Sequence, residues 1–179
     1  MNQEVPLPPK RPRPKVTIPQ PLGLYAGDLL VRTREYFEAF NQLGAEAENA
    51  HLFARYFLFF HALELLLKAF LASKGVSKRD LRLKYGHSIE DIYDAAVALG
   101  MHPLSNVKVI AKNLDVLNSQ QDFRYPSGYN LHVQSPAFCR ESYEALRMAI
   151  EPRISTEVQK ASLQLHSDFR GQTVIWKDE

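Results

Sequence analysis

The sequence has one cysteine and no long uninterrupted apolar run. The single cysteine, Cys139, excludes an internal disulfide and is typical of a reducing compartment. No stretch reaches the roughly 18 consecutive apolar residues of a membrane span, and the N-terminus lacks the apolar core of a signal peptide. These absences predict a cytoplasmic protein with no membrane contact.

The body of the chain also lacks an excess of charge of one sign. The 179 residues have a net charge of +2, and the first 15 hold four basic residues against one acidic residue. The rest holds 18 basic and 19 acidic side chains. This balance argues against a strongly basic nucleic-acid-binding domain. The basic tail is a candidate contact for RNA, DNA or an acidic partner, but a solvated tail is the favoured interpretation.

Proline is concentrated at one end of the chain. Seven of the eleven prolines fall within residues 6–21, where they remove amide donors and fix φ. The pattern predicts an extended, polyproline-like leader. We favour an unstructured leader, or an arm lying on the body, over the alternative of a docking segment for a partner groove.

Beyond the leader, apolar residues recur at helical spacing. The pattern predicts helices over about 28–43, 45–73, 89–100, 104–121 and 137–150. Ser88 is the expected N-cap of the third helix, and Pro152 is expected to end the last. Residues 172–178 are expected to form a short strand or an extended arm. We predict an all-α bundle of four to five main helices, divided into a leader (1–25), a helical body (26–152) and a C-terminal arm (153–179).

The most apolar predicted helix carries ionisable residues. His61, Glu64 and Lys68 are spaced by three and four residues and therefore form one stripe. A second stripe contains Glu48, His51 and Arg55. If exposed, the Glu64–Lys68 pair contributes only about 0.3–0.5 kcal/mol; if buried, both charges must be paired.

Exposed polar strips on an otherwise buried helix are one interpretation of the two stripes, and it is the favoured one for Glu64 and Lys68. A metal site is not predicted, because no second histidine stands at matching spacing from His61 and Glu64. No cofactor is predicted either. His87 is interpreted as stabilising the start of the helix that follows it.

Two segments of the chain resemble a known family. "HALELLLKAFLASKG" and "YGHSIEDIYDAAVALG", separated by a polar gap, are similar to the first half of HEPN domains (higher eukaryotes and prokaryotes nucleotide-binding). The similarity covers about residues 51–100, with weaker agreement to about residue 150. It implies a homodimeric helical bundle that binds nucleotide or RNA. It also implies a role in prokaryotic defence or toxin–antitoxin systems, beside an antitoxin or other partner protein.

The resemblance also implies a candidate catalytic pair. Ribonucleases of this family carry an arginine and a histidine, with four to six residues between them, in the loop before the last helix, and they need no metal. The corresponding loop here is "FRYPSGYNLH", in which Arg124 would stabilise phosphate charge and His132 would act as acid or base. Seven residues separate the two, so the spacing departs from the pattern. Arg55 and His61 have five residues between them but lie on another helix.

The same loop contains candidate binding residues. Tyr125, Tyr129 and Asn130 combine aromatic rings and an amide that are suited to stacking a base and holding a phosphate. Turn formation and packing are the alternative roles, and Arg124 could instead bond helix C-terminal carbonyls. The competing hypothesis for the whole chain is a non-catalytic interaction module or structural helical dimer.

Overall fold

The computed structural model describes residues 13–45, 51–119, 125 and 132–177. Within these ranges the chain forms six helices and two short strands. They are β1 (Lys15–Ile18), α1 (Leu22–Gln42), α2 (Leu52–Ser73), α3 (Lys78–Leu83), α4 (Ile89–Ala98), α5 (Ser105–Ser119), α6 (Pro136–Asp168) and β2 (Thr173–Trp176). The prediction of a mainly helical chain is confirmed.

Helix α2 forms the centre of the core. It packs against α1, α4 and α6, and its Phe59, Leu66 and Leu67 are fully buried. By length and composition α2 could cross a membrane, but 67% of its most apolar window is buried inside the fold. A helix that is apolar around its whole circumference gains from packing on several sides, which explains its central position.

Two glycines let α1 approach α6 closely. A Cβ at Gly23 would lie 2.6 Å from the Glu157 carbonyl oxygen and 2.8 Å from the Ala161 Cβ. A Cβ at Gly27, one turn further on, would lie 3.1 Å from a Val158 methyl group. At Gly23 the backbone of α1 therefore lies closer to α6 than any residue with a side chain would allow, and at Gly27 a side chain would be a tight fit.

The start of α4 confirms the predicted cap. The Ser88 hydroxyl accepts a hydrogen bond from the Asp91 amide at 3.2 Å. A second cap comes from α5, where the Asp115 carboxylate accepts from the Ile89 amide (2.6 Å) and the Glu90 amide (2.9 Å). Together these contacts pair amides that α4 itself leaves without partners.

Helix α3 was not predicted, because Lys78–Leu83 lie in the polar gap between the two segments that resemble the HEPN family. Its sequence signal is the Ser77 cap, whose hydroxyl accepts from the Asp80 amide at 3.0 Å. The helix is only six residues long and buries a single side chain, Leu81. Its two leucines, Leu81 and Leu83, are two residues apart, which is not helical spacing, so hydrophobic patterning could not reveal the helix.

The predicted start of the central helix was wrong. Helix α2 begins at Leu52. The residue before it, His51, has a φ of 54°, and this left-handed conformation does not fit a right-handed helix. Residues 46–50, including Glu48, lie outside the described residues. The second predicted stripe therefore does not lie on one continuous helix.

The predicted end of the last helix was also wrong. Helix α6 continues through Pro152 to Asp168. Pro152 is exposed between the buried Ile150 and Ile154, so its ring faces away from the core. The exposed Met148 lies one turn earlier, where water can replace the hydrogen bond that proline cannot donate. The expected boundary between the helical body and the C-terminal arm, at 152/153, thus lies inside α6. The expected boundary between the leader and the body, at 25/26, lies inside α1.

The two ends of the described chain pair with each other. Strands β1 and β2 form a two-stranded parallel sheet in which Lys15 is opposite Thr173 and Ile18 is opposite Trp176. Val16 and Val174 are its half-buried pair. Of the two forms expected for residues 172–178, the strand is the one observed.

Candidate functional site

A buried carboxylate on α2 organises the candidate site. Glu64 lies among the apolar residues of the central helix, and only 2% of the residue is exposed. Three neighbours complete the group that we call the Glu64 cluster: His61 and Lys68 on the same helix, and His87 in the turn before α4. Gly86, with φ 52°, takes the left-handed conformation that this turn requires.

The Glu64 cluster is tightly hydrogen-bonded. Lys68 Nζ lies 2.6 Å from Glu64 Oε1 and 2.5 Å from the Gly86 carbonyl oxygen. His87 Nδ1 lies 3.0 Å and 3.2 Å from the two Glu64 oxygens, and His61 Nδ1 lies 3.6 Å from Oε2. The carboxylate thus ties the central helix to the α3–α4 turn.

These contacts keep Glu64 ionised. Burial alone would raise the pKa of its carboxyl group, but the hydrogen bonds from His61, Lys68 and His87 and the charge of Lys68 hold the pKa at about 2. Because an ionised carboxylate can only accept hydrogen bonds, the Nδ1 of His87 must carry a proton. The other ring nitrogen, Nε2, is then the one available to a ligand.

The favoured interpretation of the first stripe was wrong. His61, Glu64 and Lys68 do not form an exposed strip, because Glu64 is buried and Lys68 is only 9% exposed. The alternative, a paired buried network, is observed. His87 likewise contacts Glu64, while Ser88 and Asp115 cap the helix that His87 was expected to stabilise.

A pocket of about 240 Å³ opens beside the Glu64 cluster. We call it the basic pocket. Its polar wall consists of Tyr25 from α1, Lys68 from α2, Lys78 and Arg82 from α3, and His87. Lys78 and Arg82 are four residues apart and therefore project from one side of their short helix. Three permanent cations and an imidazole line this space, and the Glu64 carboxylate lies behind Lys68 and His87.

The apolar side of the basic pocket is formed by Leu29, Leu65 and Leu81. Tyr25 is held under the Lys78 ammonium group, which lies 5.0 Å from the ring centre. Burial raises the pKa of the Tyr25 phenol above its ordinary value of 10. The charge of Arg32 lowers this pKa and the charge of Asp28 raises it, but burial has the largest effect. The phenol is therefore neutral at physiological pH and does not repel an anion.

The structure places only part of the predicted catalytic loop. Arg124, Tyr129 and Asn130 lie outside the described residues. Tyr125 is 64% exposed. His132 is also exposed, and its carbonyl accepts a hydrogen bond from Asn113 Nδ2 at 3.2 Å. The pairing of Arg124 with His132 therefore stays a prediction.

The Arg55 side chain has a structural environment. It is 1% exposed, its Nε donates to the Phe40 carbonyl at 3.0 Å, and its guanidinium lies 4.6 Å from the Phe40 ring centre. Gly44 lies against the same guanidinium, since a Cβ there would collide with it. Arg55 thus joins the end of α1 to the start of α2, away from the basic pocket.

Sequence reasoning missed Tyr25, Lys78 and Arg82. The signal for the two α3 residues is their i, i+4 spacing after the Ser77 cap, but they lie in the polar gap, where no helix was predicted. Tyr25 was assigned to the leader. Among the described residues, no group of three or more histidine, cysteine, aspartate or glutamate side chains is arranged to hold a metal ion. Comparison of the chain with protein-family models, curated proteins and solved structures finds no match.

Proposed function

We propose that this chain is a HEPN-like nucleotide- or RNA-binding module whose ligand phosphate occupies the basic pocket. By the same resemblance, we propose that it acts with a partner protein in a prokaryotic defence or toxin–antitoxin-type system. The observation that carries the binding proposal is the concentration of Lys68, Lys78, Arg82 and His87 around one pocket in an otherwise charge-balanced body.

The chemistry of the basic pocket fits a phosphate. Lysine and arginine donate charge-assisted hydrogen bonds to phosphate oxygens, and arginine can bind two oxygens at once. Lys68 is a particularly well-positioned donor, because its bonds to Glu64 and the Gly86 carbonyl fix the ammonium group and leave one of its three N–H groups for a ligand. The Tyr25 ring adds an aromatic surface beside the cations.

Binding is tested by thermal stabilisation and by fluorescence polarisation with labelled RNA. Nucleotide or RNA should raise the melting temperature of the wild-type protein, because a ligand that binds only the folded state stabilises it. Arg82→Ala should weaken binding by about tenfold, the effect of losing one charge-assisted contact. Arg79→Ala is the matched control, since Arg79 lies on the same helix but does not line the pocket. Equal loss in both variants, or no binding at all, would refute the proposal.

Cleavage is a separate question with its own assay. If the chain is a metal-independent ribonuclease of the kind the resemblance implies, it should cut RNA in EDTA, and Arg124→Ala and His132→Ala should each abolish cutting without lowering the melting temperature. Cleavage retained in both variants would end that assignment. RNA that stays intact but bound would leave a binding module.

A protein-interaction dimer is the second candidate function. Phe53 is 49% exposed at the start of α2, and the half-buried Phe57 and Leu58 follow it one turn further on. Tyr36 on α1 extends this surface, and a shallow groove lies between Tyr36 and Leu58. An apolar surface of this kind is typical of protein contacts.

Light scattering tests the dimer. Leu58→Asp should convert a dimer to a monomer, because it places a charge in the centre of the apolar surface. Val109→Asp on α5, where Val109 is 51% exposed, controls for the effect of any added surface charge. A wild-type monomer would contradict the interaction hypothesis.

A further inference from the structure

The two-stranded sheet has a free edge that fits a second copy of the chain. We propose that β2 of one protomer pairs with β2 of its partner in antiparallel orientation, so that two copies form one four-stranded sheet. This interface is separate from the apolar surface around Leu58 on α2, and it does not depend on the proposed ligand. The proposal rests on the exposure of the sheet, the difference between its two edges and the geometry of the β2 edge.

The sheet formed by β1 and β2 is unusually exposed for parallel strands. Its more buried face contains Val16 and Val174, which are only half-buried, and on the other face Ile175 is 43% exposed. Parallel sheets are almost always covered on both faces, and two strands alone are marginally stable in water. Additional strands would therefore stabilise this sheet.

The outer edge of β2 carries unpaired backbone groups. The Thr173 amide donates to the Pro14 carbonyl at 2.8 Å, and the Lys177 amide donates to β1 in the same way. Because backbone groups alternate in direction along a strand of a parallel pair, the N–H and C=O groups of Val174 and Trp176 point to the opposite edge. Within the part of the chain that the structure describes, these groups form no hydrogen bond.

The outer edge of β1 is protected against such pairing. Its outward backbone groups belong to Lys15 and Thr17, and the next outward residue, Pro19, has no N–H. Edge lysines and prolines are common devices against edge-to-edge association. Strand β2 contains neither, and its Trp176 is 39% exposed. The sheet can therefore extend on one side only, which closes the assembly at two copies.

A two-fold axis at Ile175 matches the free backbone groups of the edge. In antiparallel pairing about this axis, Val174 lies opposite the partner's Trp176, and each such pair exchanges two N–H···O=C hydrogen bonds. A branched side chain opposite an aromatic ring is a favourable cross-strand contact. Ile175 then meets the partner's Ile175 on the exposed face. A second copy is the favoured occupant because the same edge supplies both halves of this match.

The first test is the mass of the full chain by sedimentation over a wide range of concentrations. Strand β2 has only four residues, and stable interfaces bury about 1,200–2,000 Å², so we expect a dimer that dissociates on dilution. A wild-type protein that stays monomeric at every concentration would overturn the inference.

A charge exchange at the two-fold axis tests the register. Ile175→Lys and Ile175→Glu each place like charges opposite each other in place of an apolar pair, and each should raise the dimer dissociation constant by about tenfold. An equal mixture of the two variants should dimerise again, because opposite charges then meet. Ile175 is exposed, so neither change threatens folding. A dimer that neither variant weakens, or a mixture that stays monomeric, would contradict this pairing.

A proline exchange compares the two edges. Trp176→Pro removes an outward N–H from β2 and should abolish the dimer, whereas Thr17→Pro makes the matched change on β1 and should retain it. Equal effects of the two prolines would overturn the proposed edge. A dimer that Leu58→Asp dissociates and the Ile175 variants do not would place the interface on α2, which overturns this inference and supports the second candidate function.

Discussion

Lys68 Nζ lies 2.6 Å from Glu64 Oε1, one turn away on the most apolar helix of the fold, and both residues are almost completely buried. The pair is joined by His61 and His87, so the charges are not isolated. Removing a charge from water costs several kcal/mol unless partners replace the water, and the Glu64 cluster supplies them. The cluster therefore both stabilises the core and fixes one wall of the basic pocket.

Removing one partner of this pair should be strongly destabilising. Lys68→Ala leaves the Glu64 charge buried without its closest cation, and we expect a loss of about 3 kcal/mol in the free energy of unfolding, measured by urea denaturation. The double variant Glu64→Leu, Lys68→Met removes both charges and should recover much of that loss. A single variant that loses less than about 1 kcal/mol would contradict a buried, energetically coupled pair.

The stability contributed by Glu64 should depend on pH. Its pKa is about 2 in the folded protein and 4.5 ordinarily. Because the folded value is lower, this contribution is fully present above about pH 5 and is lost as the pH falls through about 2. It amounts to about 3 kcal/mol.

The matched variant for this pH effect is Glu64→Gln, which keeps the shape and removes the ionisation. Wild type should be more stable than the variant at pH 6, and the difference measured by urea denaturation should shrink as the pH falls. A constant difference between pH 6 and pH 3 would show that Glu64 does not titrate as described. Partial burial would raise the pKa of Glu151, but its bonds to Arg147 and Arg34 lower it. Glu151 titrates in both wild type and variant.

Asp115 should be important for the start of α4. Its carboxylate accepts from the Ser88 hydroxyl at 2.8 Å as well as from the Ile89 and Glu90 amides. Asp115→Ala should lower the free energy of unfolding by about 1–3 kcal/mol, because the amides lose an ionised acceptor. Lys112→Ala, at an exposed position on the same helix, should change it by less than about 0.5 kcal/mol. Similar losses in both variants would contradict the specific cap.

Gly23 should tolerate no side chain. Gly23→Ala forces a Cβ against the Glu157 carbonyl and Ala161, so α1 and α6 must separate. We expect a melting temperature several degrees below wild type, corresponding to about 1–3 kcal/mol. Val31→Ala is the control, since Val31 is on the same helix and 52% exposed. A wild-type melting temperature for Gly23→Ala would show that the helices can move apart without cost.

Much of the helical content could be predicted because it is encoded locally. The periodicity of α4 and α5 and the Ser88 cap are properties of short segments, and the structure confirms them. The wrong helix end also comes from using a local rule, here at a position where packing decides. Pro152 normally ends a helix, but its position between two buried isoleucines lets α6 continue, and that position is a property of packing.

The candidate site was predictable only in part. Spacing alone brought His61, Glu64 and Lys68 together, since all three lie on one helix. It could not show that Glu64 faces inward, because the apolar residues surround the helix and leave no clear outer side. The contribution of His87, 23 residues away from Glu64, depends on how the α3–α4 turn folds back.

By itself the sequence determined that this protein is mainly helical, that its most apolar segment forms the central helix, and that this segment carries charges which need partners. These properties follow from composition and from spacing along a helix. The tertiary structure alone decided that the charges are buried, that His87 and Gly86 meet them, and that Tyr25, Lys78 and Arg82 converge on one pocket. These residues come from separate helices and turns, and only packing fixes the distances between them.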